Sequence, residues 1–238
     1  MPEVIEDLSK LPEGSHCVSL HADRREGARH AAEFLAGTPA GQAASYWVVD
    51  REVREEYGAA VAERAPLHVG CIAVLPHSQV EPRDGKLRPA EEVREFLHDH
   101  PSGVTACGET ITHYWSRASV PDHLEYECWF QAQELGRSRF MCPYDLREVP
   151  ADMAPMVLRS LGANHTHVVL SESEEPGVRL LQLFVFPRID EIPETLDATL
   201  GWAVKRGLVR VIADSQELDL SPEGDEIIRR WSEQAVLA

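Results

Sequence analysis

The chain has 238 residues, 43% hydrophobic and 26% charged, an ordinary globular composition long enough to bury a sizeable core. No window approaches the ~18 consecutive apolar residues of a transmembrane helix, so no membrane span is expected. Twenty-three Lys and Arg stand against 40 Asp and Glu, a net charge of −17, and a surface that acidic repels phosphate backbones. The start, Met1-Pro2-Glu3-Val4-Ile5-Glu6-Asp7, lacks the apolar run of a signal peptide. The five cysteines (Cys17, Cys71, Cys107, Cys128, Cys142) form no C-x-x-C pair, which argues against a disulfide framework or zinc knuckle. A cytoplasmic protein with reduced thiols is expected.

His16 to Leu20 reads as a first strand, and Asp23 as the N-cap of a helix reaching about Leu35 and stopped at Gly37-Thr38-Pro39. Ser45 to Val49 is a second strand, Arg51 to Arg64 a helix, and His68 to Leu75 a third strand. Pro76 to Pro89 reads as a loop and Glu91 to His98 as helix, with Pro89 in its first turn. Strands follow at Gly103 to Cys107, Phe140 to Asp145 and His167 to Leu170, separated by helices over His123 to Leu135 and Met153 to Leu161. Leu180 to Phe186 reads as a seventh strand at an edge. Strands apolar on both faces and separated by helices predict a mostly parallel sheet covered on both sides, a three-layer α/β domain over residues 1–187.

Residues 188–238 change character. A helix from Glu194 to Arg206, a hairpin over Leu208 to Leu220 and a last helix opened by Ser221-Pro222 resemble the second half of a winged helix. Residues 190–238 carry five basic against eleven acidic residues, a poor balance for tracking phosphates. Glu194 and Asp197 lie where a recognition helix would read bases. Leu196, Leu200, Trp202 and Val204 suit packing on the sheet domain or on a second copy. Direct DNA binding by this segment alone is not expected.

Familiar catalytic signals are absent. The turn after the first strand, His21-Ala22-Asp23-Arg24-Arg25-Glu26, has neither the glycines nor the lysine of a phosphate-binding loop. There is no G-x-G-x-x-G and no G-x-S-x-G. Polar and aromatic residues gather instead around strand ends: His16 and His21, Glu109, Trp115, the helical Tyr126 and Glu127, then Cys142, Tyr144 and Asp145. Ligands of parallel sheets bind at the carboxyl ends of strands, so these nine residues are the candidate ligand-binding set. Several also have a plain structural role open to them. His16 suits a satisfied strand-start histidine, Trp115 suits a core position, and Asp145 suits a cap for the turn before Arg147. His16, His21, His113 and Cys142 are the side chains with the chemistry of zinc or haem-iron ligands, but none are paired at helical i, i+4 spacing. No metal and no cofactor are expected.

These motifs, in this order, resemble the MEDS sensory domain of DcmR-type methanogen and methylotroph regulators. His16-Cys17-Val18-Ser19-Leu20-His21 resembles its opening H-x-C-x-x-Y/F, with His21 in place of the aromatic. Gly103 to Glu109, Leu124-Glu125-Tyr126-Glu127, and Met141-Cys142-Pro143-Tyr144-Asp145 with Val149-Pro150 are similar to its later segments, over roughly residues 14 to 173. The resemblance implies a RecA/KaiC-like α/β domain without a P-loop that senses a small organic, hydrocarbon-derived ligand in transcription or signalling. The partners then expected are that ligand and a second copy of the chain or a regulatory protein. The alternatives are an enzyme using Glu109, Tyr144 and Asp145 as acid and base groups, or a ligand-free dimerising protein.

Overall fold

Alternation along the first long strand sorts the molecule into layers. In a strand, successive side chains point to opposite faces. Val18 and Leu20 enter one hydrophobic cluster and Cys17 the other. The computed structural model describes residues 2–48, 51–66, 72–74, 89–109 and 120–236. The reading of Pro76 to Pro89 as a loop falls, but for Pro89, outside them.

The strands are β1 (Glu3–Val4), β2 (His16–His21), β3 (Ala43–Val48), β4 (Ile72–Val74), β5 (Val104–Glu109), β6 (Arg139–Asp145) and β7 (His167–Val169). They form one sheet in the order β1-β7-β2-β6-β5-β3-β4, and every pairing is parallel. One face carries α1 (Arg24–Ala36) and α2 (Arg51–Arg64), which pack Phe34, Leu35, Tyr57 and Val61 on Tyr46, Val48, Cys107 and Met141. The other carries α3 (Pro89–Asp99), α4 (Val120–Gln131), α5 (Ala154–Asn164) and α6 (Pro176–Leu183), over Val18, Leu20, Ala106, Phe140 and Tyr144. The three-layer parallel α/β reading therefore holds. Among the described residues no helix is long and apolar enough to cross a membrane.

Two local expectations are corrected. Leu180 to Phe186 is not an edge strand: Pro176–Leu183 is helical, with Pro176 in the first turn. Its polar residues are only Arg179 and Gln182, three apart on one side, and just one of them falls in the run Leu180 to Phe186, which therefore reads as a continuous apolar strand. The edges belong instead to β4 and to the two-residue β1, which is too short to carry a periodic signal. Glu194 to Arg206 is also not one helix. A 3-10 turn over Glu194–Leu196 precedes α7 (Asp197–Lys205).

The hairpin is β8 (Val209–Ile212) and β9 (Glu217–Leu220), followed by α8 (Pro222–Val236). Ser221 Oγ accepts from the Gly224 amide at 3.1 Å, the N-cap bond the sequence predicts. These elements share the core of the sheet: Leu208, Val209, Leu218 and Ile228 belong to the same cluster as Val18. Leu196, Leu200 and Trp202 pack on that cluster, while Val204, Val211 and Ile212 stay exposed. Gly177 of α6 lies against Trp231 of α8 so closely that an added Cβ would sit 2.7 Å from the tryptophan Cβ.

Candidate functional site

The β2–β6 register sets His16 beside Phe140, Val18 beside Cys142 and Leu20 beside Tyr144. Side chains of equal parity share a face, so His16, Cys142 and Tyr144 all point toward α4 and α5. Helix α4 answers with Glu127, Phe130 and Gln131, which lie three and four residues apart on one side. The β2–β7 pairing, Cys17 beside His167, brings the end of α5 and His165 alongside His16. Five groups from distant parts of the chain thus meet: His16, Glu127, Cys142, Tyr144 and His165, all buried.

Hydrogen bonds orient them. His16 Nδ1 donates to the Asn164 carbonyl at 3.0 Å and His165 Nδ1 to the Leu161 carbonyl at 2.7 Å. A carbonyl can only accept, so both rings carry their proton on Nδ1 and turn Nε2 inward. The rings stack with centroids 3.9 Å apart, and Phe130 flanks His16 at 4.4 Å. The Cys142 thiol lies 3.3 Å from His16 Nε2. The Tyr144 hydroxyl donates to Glu127 Oε1 in a short hydrogen bond. Glu127 Oε2 lies 3.6 Å from His165 Nε2 and 3.9 Å from His16 Nε2.

Burial sets the protonation states. Loss of water pulls His16 down to about 3, helped by the neighbouring His165 and opposed by Glu127. Burial and then the Glu127 charge hold the Cys142 thiol and the Tyr144 phenol well above their usual ranges. A neutral His16 imidazole, a thiol and a phenol therefore share one buried space with Glu127 and His165. His16, Glu127, Cys142 and His165 each offer one metal-ligating atom, all within 4.8 Å of one another.

The remaining expected residues lie elsewhere. Tyr126 is buried next to the centre, its ring 6.1 Å from Phe130. His21 and Asp145 pair at the carboxyl ends of β2 and β6, on the α1 face. Burial lowers the His21 pKa, with Asp145 and Glu26 opposing. Asp145 caps its turn, accepting from the Arg147 amide at 3.0 Å and binding the Arg147 guanidinium at 2.8 Å. Glu109 ends β5 at the same edge. Trp115 and His113 lie outside the described residues.

The turn after β2 is closed by its own acid. Glu26 Oε2 accepts from the Ala22 amide and from Ser171 Oγ, both at 2.7 Å, and Oε1 from the Glu172 amide at 2.8 Å. Amides at such a turn hold phosphate in P-loop proteins; here they hold a carboxylate. Sequence reasoning missed His165 and Gln131. The available signal was Asn164-His165-Thr166-His167, two histidines on the threshold of a strand.

Fold and site together define a parallel α/β domain with a buried His/Cys/Glu/Tyr centre and, after β2, a turn closed by Glu26 where a phosphate loop would lie. No family model, no curated protein and no solved structure matches the chain.

Proposed function

We propose that the chain is a cytoplasmic small-molecule sensor of the RecA-like, P-loop-less kind that the MEDS resemblance implies. Its ligand would be a small organic molecule held at the carboxyl edge of β2, β5 and β6, where His21, Glu109 and Asp145 end their strands. A continuous path from that edge to the C-terminal segment supports the reading. Glu26 holds Ser171 Oγ, the Ser171 carbonyl accepts from Gln182 Nε2 at 2.7 Å, and α6, which carries Gln182, is keyed to Trp231 of α8 through Gly177. A ligand that moves the Ala22 to Glu26 turn would move this chain of contacts. The winged-helix-like element would then pass the change to a protein partner through the exposed Val204, Val211 and Ile212. Its acidic balance disfavours DNA as the direct target.

The test is thermal melting plus hydrogen exchange on the full chain. The probes are short alcohols, amines and haloalkanes, with Mg-ATP beside them. A ligand that binds only the folded state raises stability as RT ln(1 + [L]/Kd). The expected result is that at least one organic probe raises Tm and alters exchange in α8, while Mg-ATP does neither. Micromolar binding of Mg-ATP, or a full panel with no shift, overturns the reading.

A further inference from the structure

The centre on the α4 face has a geometry that small-molecule sensing does not require. A tetrahedral ion with metal–ligand bonds of about 2.0–2.3 Å has ligand–ligand edges of about 3.3–3.8 Å. Three of the six edges are 3.3 Å from His16 Nε2 to Cys142 Sγ, 3.6 Å from His165 Nε2 to Glu127 Oε2 and 3.9 Å from His16 Nε2 to Glu127 Oε2, and all four atoms lie within 4.8 Å of one another, so the two shortest match a tetrahedron and the longer ones would close by a few tenths of an ångström or more around an ion.

Three of the four donors are also held from behind. Both imidazoles give Nδ1–H to main-chain carbonyls, at Asn164 and Leu161. That support fixes the Nε2 lone pair inward and is the usual outer shell of a metal-binding histidine. Tyr144 holds the other oxygen of Glu127. We propose that His16 Nε2, His165 Nε2, Cys142 Sγ and Glu127 Oε2 form a closed, four-ligand site for one thiophilic divalent cation of the zinc class.

Charge favours this assignment. On binding, a sulfur–metal bond forms and the Cys142 S–H proton leaves to solvent, since a metal-bound thiol is deprotonated. One thiolate, one carboxylate and two neutral imidazoles around a 2+ ion sum to zero. A neutral centre suits a site where all four residues are buried. Imidazole and thiolate together select zinc over magnesium or calcium, which take oxygen shells. With four protein ligands no position is left for substrate, so the ion ties β2, β6, α4 and the end of α5 together. This inference rests on the geometry of the centre and not on the sensory reading.

Elemental analysis and cobalt spectroscopy on the full chain decide it. We expect one zinc per purified chain. The metal-free chain should take one equivalent of Co²⁺ with four-coordinate visible bands and a near-ultraviolet thiolate-to-cobalt charge-transfer band. Cys142→Ser should lose that band. His165→Gln should weaken zinc by more than the ~10–100-fold expected of the outer-shell variant Tyr144→Phe. His98→Gln, at a solvent-exposed histidine, should change nothing. A wild-type chain that takes up Co²⁺ without a sulfur band, or loses zinc on simple dialysis, overturns the proposal. So does a full-strength band in Cys142→Ser. The wild-type spectra decide the matter even if a variant fails to fold.

Discussion

The two faces of β2 bury polar groups to the same depth and use them differently. On the α4 face His16 converges with Glu127, Cys142, Tyr144 and His165 on a single point. On the α1 face Ser19 is equally buried, but it bonds His30 Nδ1 at 2.8 Å in a local pair. Toward the strand end on that face, Asp145 and Glu26 accept from amides of neighbouring turns and close the backbone. What separates a centre from a set of caps is where the donor atoms point once the backbone has been satisfied. On the α4 face two Nε2 atoms still point inward after each Nδ1 has found a carbonyl.

That contrast can be tested by removing each kind of group. The largest effect is expected from Glu127→Ala, which strands Tyr144 and both histidines without their carboxylate. The buried Tyr144 hydroxyl left without its acceptor, together with the cavity, should appear as a loss of about 3 kcal/mol in urea unfolding; a loss under about 1 kcal/mol would mean the centre is not a unit.

Acid comes next and reads the α1 face. Burial, then Arg29 and His21, lower His30 from 6.5 to about 3. The unfolded chain thus binds the proton more readily. The contribution is complete above the unfolded value of 6.5 and is lost as pH falls from there toward about 3. By about pH 5 the loss is roughly 2 kcal/mol, and His30→Gln should flatten the pH–stability curve by that amount.

Asp23 accepts from the Glu26 amide at 2.9 Å, so Asp23→Ala should cost about 1 kcal/mol in the same assay. The smallest effect is the interaction between faces. Glu127→Ala and Asp23→Ala should add to within about 0.5 kcal/mol, and a larger coupling would show that the sheet transmits strain from one face to the other.

Much of the architecture is legible because β2, β3, β5 and β6 are short apolar runs bounded by caps and turns. Asp23 and Ser221 both cap the helices expected of them. Helix α6 was not legible as a helix, since it is only eight residues long and its polar side is just Arg179 and Gln182, too few turns to show a period. Pro176 was the overlooked start signal. Within the site, His16, Glu127, Cys142 and Tyr144 stood out as polar groups on otherwise apolar elements. His165 did not, because only the β2–β7 pairing brings it to His16. The meeting of His16 with Glu127 rests on the same kind of long-range register, and no local spacing encodes it.

The position of β2 has a consequence for how the molecule forms. Both flanking strands, β6 and β7, come from the far half of the chain. The His16 amide bonds Thr166 Oγ1 across 150 residues. Until those strands arrive, β2 has only α1 to pack on and offers two unpaired edges, the state in which a strand pairs with another molecule. Parallel pairing at such separation closes slowly. Refolding yield should therefore fall as protein concentration rises, with intermolecular pairing of β2 competing against its own distant partners.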